Sequence, residues 1–305
     1  MGFLYKILET ITPFLGYKKI FSLESEEIKA YSQKHNLDLP VPPPSSISRN
    51  FNVTKHTMHL RPCYQITPHN VQNIVTKVVM FIHGGGFIFG IHPVHWLAIR
   101  DILKKTSLPV WAPDYPLLPN AGLKEMTLML YETYTTIKQT YPAAEIIMIG
   151  DSAGADLSIT LCQYLKTETQ LPLPHRLILV SPGQASETDP QIISEIKKIQ
   201  KNDVMLSINL LKTMPKLFNM DFDPNNYYCA PFNSNFTGFP DTYVFSGTHD
   251  IFFPQVKRLV LRLQSYGIKT EFIEGKDMLH VWPYMPVVPE CKKELARIID
   301  IINLP

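Results

Sequence analysis

Residues 145–166 read EIIMIGDSAGADLSITLCQYLK. Within the first six, IIMIG is a short, continuously apolar run, as in a strand covered on both faces, and the stretch from Ala155 carries a helical pattern. Between them Gly150-Asp151-Ser152-Ala153-Gly154 fits G-x-S-x-G, a sharp strand-to-helix turn that strains the serine backbone and lifts its hydroxyl above the sheet. Glycines two positions either side let the chain pass closely there. The helix that opens at Ser152 also points its positive end at any anion formed beside it. A glycine-rich turn whose serine is only an N-cap fits the pentapeptide alone; the strand before it and the helix after it make Ser152 a candidate nucleophile.

Outward from this turn, β-rich runs alternate with helical patterns from about residue 56 onward, the signature of βαβ units and a mostly parallel sheet. Strands are expected at His56–Cys63, Lys77–Ile82, Pro109–Asp114, Glu145–Gly150, Arg176–Ser181, Asp241–Gly247 and Lys269–Gly275. Residues 1–50, ending in the proline-rich LPVPPPSS, and residues 184–226 break the alternation and read as cap material on a single domain spanning 1–305. The second segment separates neighbouring strands by far more than a crossover requires and carries helical patterns such as IISEIKKIQ.

The strand VVMFI runs into His83-Gly84-Gly85-Gly86-Phe87, where consecutive glycines can turn backbone N–H groups toward one point. Acyl transfer needs this, because the carbonyl oxygen gains charge in the tetrahedral transition state. The spacing fits neither G-x-G-x-x-G nor a P-loop. A base must follow the serine. Of the three later histidines, His175 precedes a strand and so sits at the wrong end of the sheet, and His249 leaves no room for a strand and helix between an acid and itself. His280, after the strand KTEFIEG, is the candidate base. Asp250 follows the strand DTYVFSG thirty residues earlier, the spacing one βα unit supplies, and is the candidate orienting acid. Asp277 is its rival and reads as a solvated loop charge.

Composition narrows the field. At 45% hydrophobic and 18% charged residues the chain is far from disordered, and a net charge of +2 with scattered lysines gives no field to capture nucleic acid. The four cysteines are far apart with no C-x-x-C pair and read as free thiols; neither metal nor cofactor is expected. No apolar run is long enough to cross a bilayer, and Lys6 and Glu9 interrupt what a signal peptide needs, so cytoplasm is the expected location. Phe3, Leu4, Ile7, Leu8, Ile11 and Phe14 recur at near-helical spacing, predicting an amphipathic helix ended near Pro13. Packing of that helix on the body is favoured over peripheral membrane contact. Phe87, Trp111 and Trp282 are candidates for a pocket wall or simply for core.

In order and spacing from about residue 75 to 285, HGGGF, DYPLLP at Asp114–Pro119, GDSAG, SGTHD and His280 resemble the hormone-sensitive-lipase-like branch of the α/β-hydrolases. The resemblance implies an eight-stranded sheet with a helical cap. It also implies an oxyanion hole made by the N–H groups of Gly85, Gly86 and Ala153, with His83 and Gly84 supporting the loop. The expected activity is hydrolysis of short- to medium-chain carboxylic esters through an acyl-enzyme on Ser152; an amidase or peptidase on the same residues, or a non-catalytic small-molecule-binding relative, are the alternatives. Two positions depart from the family: Ala155 and Asp156 stand where Gly and Asn are usual, and Pro254 where a second acid is common.

Overall fold

The computed structural model describes residues 3–70, 74–218, 223, 226–285 and 288–305, those at 3, 4, 8 and 14 as backbone only. Eight strands form one sheet: β1 (Asn52–Met58), β2 (Arg61–Thr67), β3 (Lys77–Ile82), β4 (Val110–Pro113), β5 (Glu145–Asp151), β6 (Arg176–Val180), β7 (Asp241–Gly247) and β8 (Thr270–Gly275). Their spatial order is β1-β2-β4-β3-β5-β6-β7-β8. Pairing is antiparallel from β1 to β2 and from β2 to β4, and parallel from β4 through to β8.

The expected strand at His56–Cys63 is instead the end of β1, a tight turn and the start of β2. His59 and Leu60 take φ of 45° and 66°, the left-handed pair that a two-residue hairpin turn demands. Neither is the Asn or Gly that usually announces such a turn, so the sequence runs through it as one strand. The other expected strands agree with the structure to within one residue at either end.

Helices cover both faces. They are α1 (Phe3–Ile11), α2 (Tyr17–Ile20), α3 (Ser25–His35), α4 (Ser45–Ser48), α5 (Pro93–Thr106), α6 (Leu123–Thr140), α7 (Ala153–Glu168), α8 (Pro190–Ile199), α9 (Leu210–Leu217), α10 (Phe253–Ser265) and α11 (Pro289–Asn303). Successive strand residues point to opposite sides. Val78, Met80 and Ile82 of β3 therefore join the core under α6, α7 and α10, while Val79 and Phe81 join the core under α5 and α11. This is why the runs VVMFI, IIMIG and LILV within β3, β5 and β6 are continuously apolar. Each fully buried aliphatic side chain contributes about 1.5–3 kcal/mol, and the sheet so held presents the loops after β3, β5, β7 and β8 at its carboxyl edge.

The two segments that break the alternation pack on each other there. Ser25 of α3 donates to the carbonyl of Thr213 in α9 at 3.2 Å, Asn209 donates to the carbonyl of Ser22 at 2.9 Å, and Lys212 pairs with Glu24 at 2.8 Å. The N-terminal helix is present as α1, and Pro13 lies in the 3-10 turn that follows it. Its Tyr5 is buried and its hydroxyl accepts the N–H of Leu279 at 2.5 Å, while Ile7 and Ile11 are exposed; the side chains of Phe3, Leu4, Leu8 and Phe14 lie outside the described residues. No helix among the described residues is long and apolar enough to cross a membrane. All four cysteines are free and buried.

Candidate functional site

At the end of β5 the chain reverses into α7 through Ser152, whose backbone sits at φ 50°, ψ −123°. A non-glycine residue there is strained. Space forces the turn: a Cβ on Gly150 would lie 2.3 Å from the carbonyl oxygen of Gly154. The backbone N–H of Ser152 is held by the carbonyl of Val180 at 2.8 Å.

The loops after β7 and β8 bring Asp250 and His280 to this serine. His280 Nδ1 lies 2.7 Å from Asp250 Oδ2, and its Nε2 lies 2.8 Å from Ser152 Oγ. An ionised carboxylate only accepts, so Nδ1 carries the proton and Nε2 is free to accept from the serine hydroxyl. Burial alone would push the imidazole's pKa down; Asp250 beside it, helped by Asp203 and Asp151, more than reverses this, and the ring lies above the usual histidine value. The rejected residues lie elsewhere. His175 pairs with Glu145 at the start of β5, and Asp277 faces His249 at 3.5 Å rather than His280.

The loop after β3 runs beside the serine. Gly85 and Gly86 have φ of 125° and 59°, conformations costly for any other residue, and both line the same cavity as Ser152 and Ala153. Ala153 opens α7, where first-turn N–H groups have no intrahelical acceptor. The ring of Phe21, just past α2, packs where a Cβ on Gly86 would stand. Gly84 N–H donates to Asp151 Oδ1 at 3.1 Å, and His95 Nε2 reaches Asp151 Oδ2 at 3.2 Å. His83 is fully buried, stacks on Tyr115 and donates from Nδ1 to the Gly84 carbonyl at 2.7 Å. Burial, with His95 nearby, pushes its pKa down to about 3, so the ring is neutral.

Three supporting residues escaped the sequence reading. Asp151 ties the serine turn to the glycine loop. Ser181, at φ 49°, accepts the N–H of Val281 at 2.9 Å and so holds the His280 loop. Asp203 in the inserted segment accepts the N–H of Ile251 at 2.9 Å. Asp151 lies inside the motif, and Ser181 directly follows a legible strand, so both were within reach; nothing local distinguishes Asp203 from a surface acid.

Ser152 and His280 lie on a cavity of about 160 Å³ with largely aliphatic and aromatic walls. Leu206, Leu210 and Met214 of the inserted segment line it and are buried, while Thr12 and Leu15 come from the N-terminal segment, Leu15 being 63% exposed at the mouth. Phe87 is on the wall; Trp111 and Trp282 are core. Among the described residues no cluster of three or more His, Cys, Asp or Glu side chains is arranged to hold a metal ion.

A family model described as alpha/beta hydrolase fold matches residues 79–284. An esterase of Acinetobacter venetianus is 29% identical over 238 residues, covering 75% of each chain. An acetyl-hydrolase of Streptomyces hygroscopicus is 23% identical over 72% of this chain and 73% of its own. The crystal structure of a hormone-sensitive lipase from a metagenome library superposes with a TM-score of 0.78 at 20% identity, covering 97% of both chains.

Proposed function

Since the chain belongs to the alpha/beta hydrolase fold family, we propose that it is a serine carboxylesterase that hydrolyses short- to medium-chain carboxylic esters through an acyl-enzyme on Ser152. The observation that carries this reading is the unbroken hydrogen-bonded line Asp250–His280–Ser152 at an apolar cavity. Ser152 Oγ attacks the ester carbonyl while His280 Nε2 takes its proton, and Asp250 holds the ring in that tautomer and stabilises the imidazolium. The N–H groups of Gly85, Gly86 and Ala153 stabilise the developing oxyanion, each donor being worth about 10²–10³ in rate. His280 then protonates the departing alcohol, and water, activated by the same imidazole, releases the acid and restores Ser152.

The cavity supports the substrate class. Its walls suit an alkyl or small aryl acyl group, and its roughly 160 Å³ falls below the roughly 300–1,000 Å³ of pockets for drug-sized ligands. The esterase relative favours an ester over an amide.

The test is hydrolysis of p-nitrophenyl esters from acetate to laurate, with aryl amides alongside. Wild type should prefer the shorter esters. Ser152→Ala and His280→Ala should each lower kcat by about 10⁴-fold or more, with Asp250→Asn a smaller loss. A wild type inert toward both esters and amides that still binds a small apolar ligand replaces this reading with a binding role.

A further inference from the structure

The segment between β6 and β7 meets the catalytic loops at one carboxylate. Asp203 follows α8; Lys201 and Asn202 before it are exposed, yet Asp203 is 1% exposed. Its Oδ1 accepts the N–H groups of Met205 and Leu206, each at 2.8 Å. Its Oδ2 accepts the N–H of Ile251, the residue after Asp250, at 2.9 Å. Lys18 of α2 donates to the backbone carbonyls of Asp203 and of Gln200, the latter at 3.2 Å. Parts of the chain near residues 18, 203 and 251 thus converge on one residue.

A turn by itself does not explain this arrangement. The two bonds from Oδ1 are what an aspartate supplies to a surface turn. Burying the second oxygen against the Asp250 loop removes a charge from water, which is costly unless N–H donors compensate for it. Met205 and Leu206 line the cavity, while Ile251 fixes the direction in which the chain leaves Asp250. The same carboxylate therefore spans the substrate wall and the acid of the acid–histidine pair.

We propose that Asp203 is a positioning residue for ester hydrolysis, locking the inserted segment onto the Asp250 loop so that one side chain sets both the pocket wall and the acid–histidine pair. The proposal rests on the esterase reading of Ser152. The charged groups around Asp203 are Asp250 and His280 from the catalytic loops and Lys18 from α2, the last reaching its carbonyl. Burial and the neighbouring Asp250 raise the Asp203 carboxyl above the usual range. Its negative charge in turn favours the imidazolium of His280.

The experiment compares wild type, Asp203→Asn, Lys18→Met and Ser152→Ala on p-nitrophenyl butyrate and octanoate, with kcat and KM measured from pH 5 to 9 and folding followed by circular dichroism. Asparagine keeps one carbonyl oxygen for Met205 and Leu206 but turns its NH₂ against the N–H of Ile251, so the contact with the acid loop is lost. Asp203→Asn should lower kcat about ten- to a hundredfold, since misplacement of catalytic groups by about 1 Å can cost roughly a hundredfold. Its acid limb should move to lower pH, because a lost negative charge lowers the imidazolium's pKa; a merely structural role leaves the limb in place. Lys18→Met keeps every carboxylate contact and loosens only the backbone that carries it. It should raise KM for octanoate at least threefold with the acid limb unmoved, and it tests the proposal should Asp203→Asn not fold. A folded Asp203→Asn with wild-type kcat and acid limb overturns the proposal, as does an unchanged KM in Lys18→Met when Asp203→Asn does not fold. Wild type without esterase activity, or Ser152→Ala with it, overturns the esterase reading instead.

Discussion

A Cβ on Gly154 would lie 2.1 Å from the carbonyl oxygen of Ile82 and 2.5 Å from that of His83. The first turn of α7 therefore rests backbone to backbone on the end of β3, and the last glycine of G-x-S-x-G is a packing requirement as much as a turn requirement. Gly154→Ala must push helix from strand, since both contacts are to backbone that cannot rotate away. The expected cost is about 3 kcal/mol or more, read from chemical denaturation. kcat should fall with it, because Ala153 moves relative to the glycine loop.

Asp156 lies on the buried face of α7, where it accepts the N–H of Gly183 at 3.1 Å. Burial pushes its pKa up to about 8, against the lowering effects of that N–H and of His280. A carboxyl with a raised folded pKa binds more protons folded than unfolded, so stability falls as pH rises from its unfolded value of 3.8 toward about 8. Asp156→Asn keeps the acceptor for Gly183 and never ionises. Melting scans should find the two proteins alike near pH 4 and the variant more stable by roughly 2–5 °C at pH 8; a gap that does not change with pH would show that folding leaves the carboxyl's pKa where it is in the unfolded chain.

His280 must be neutral at Nε2 to accept the serine proton. With its pKa held above 6.5 by Asp250 against burial, kcat/KM for a non-ionising ester should rise with pH to a midpoint above 6.5. For the free enzyme the same shift stabilises the fold at low pH and is lost as pH rises through the folded pKa. Asp250→Asn should lower activity on the plateau and, in whatever activity is left, move the midpoint to lower pH. A pH–rate profile of wild type and variant checks both.

The sheet and the candidate catalytic residues were legible in the sequence because each rests on a local signal. Apolar runs mark β3 and β5, G-x-S-x-G marks the turn, and the strands before Asp250 and His280 mark the sheet's carboxyl edge. What was missed lacks such a signal. The β1–β2 turn adopts left-handed conformations at His59 and Leu60 without a glycine or asparagine, and only the pairing of both strands shows it. Asp203 becomes distinctive when its carboxylate meets Ile251, 48 residues away. Trp111 and Phe87 read alike in the sequence and both join the buried core, yet of the two only Phe87 also lines the cavity.

Ser152 and His280 are 128 residues apart in the chain, and the histidine follows β8, the strand at one edge of the sheet. No fragment or half-folded state that lacks this last strand holds both. Turnover therefore reports complete assembly: in a refolding experiment ester cleavage should return no earlier than the docking of this edge strand, whatever helix signal has already returned.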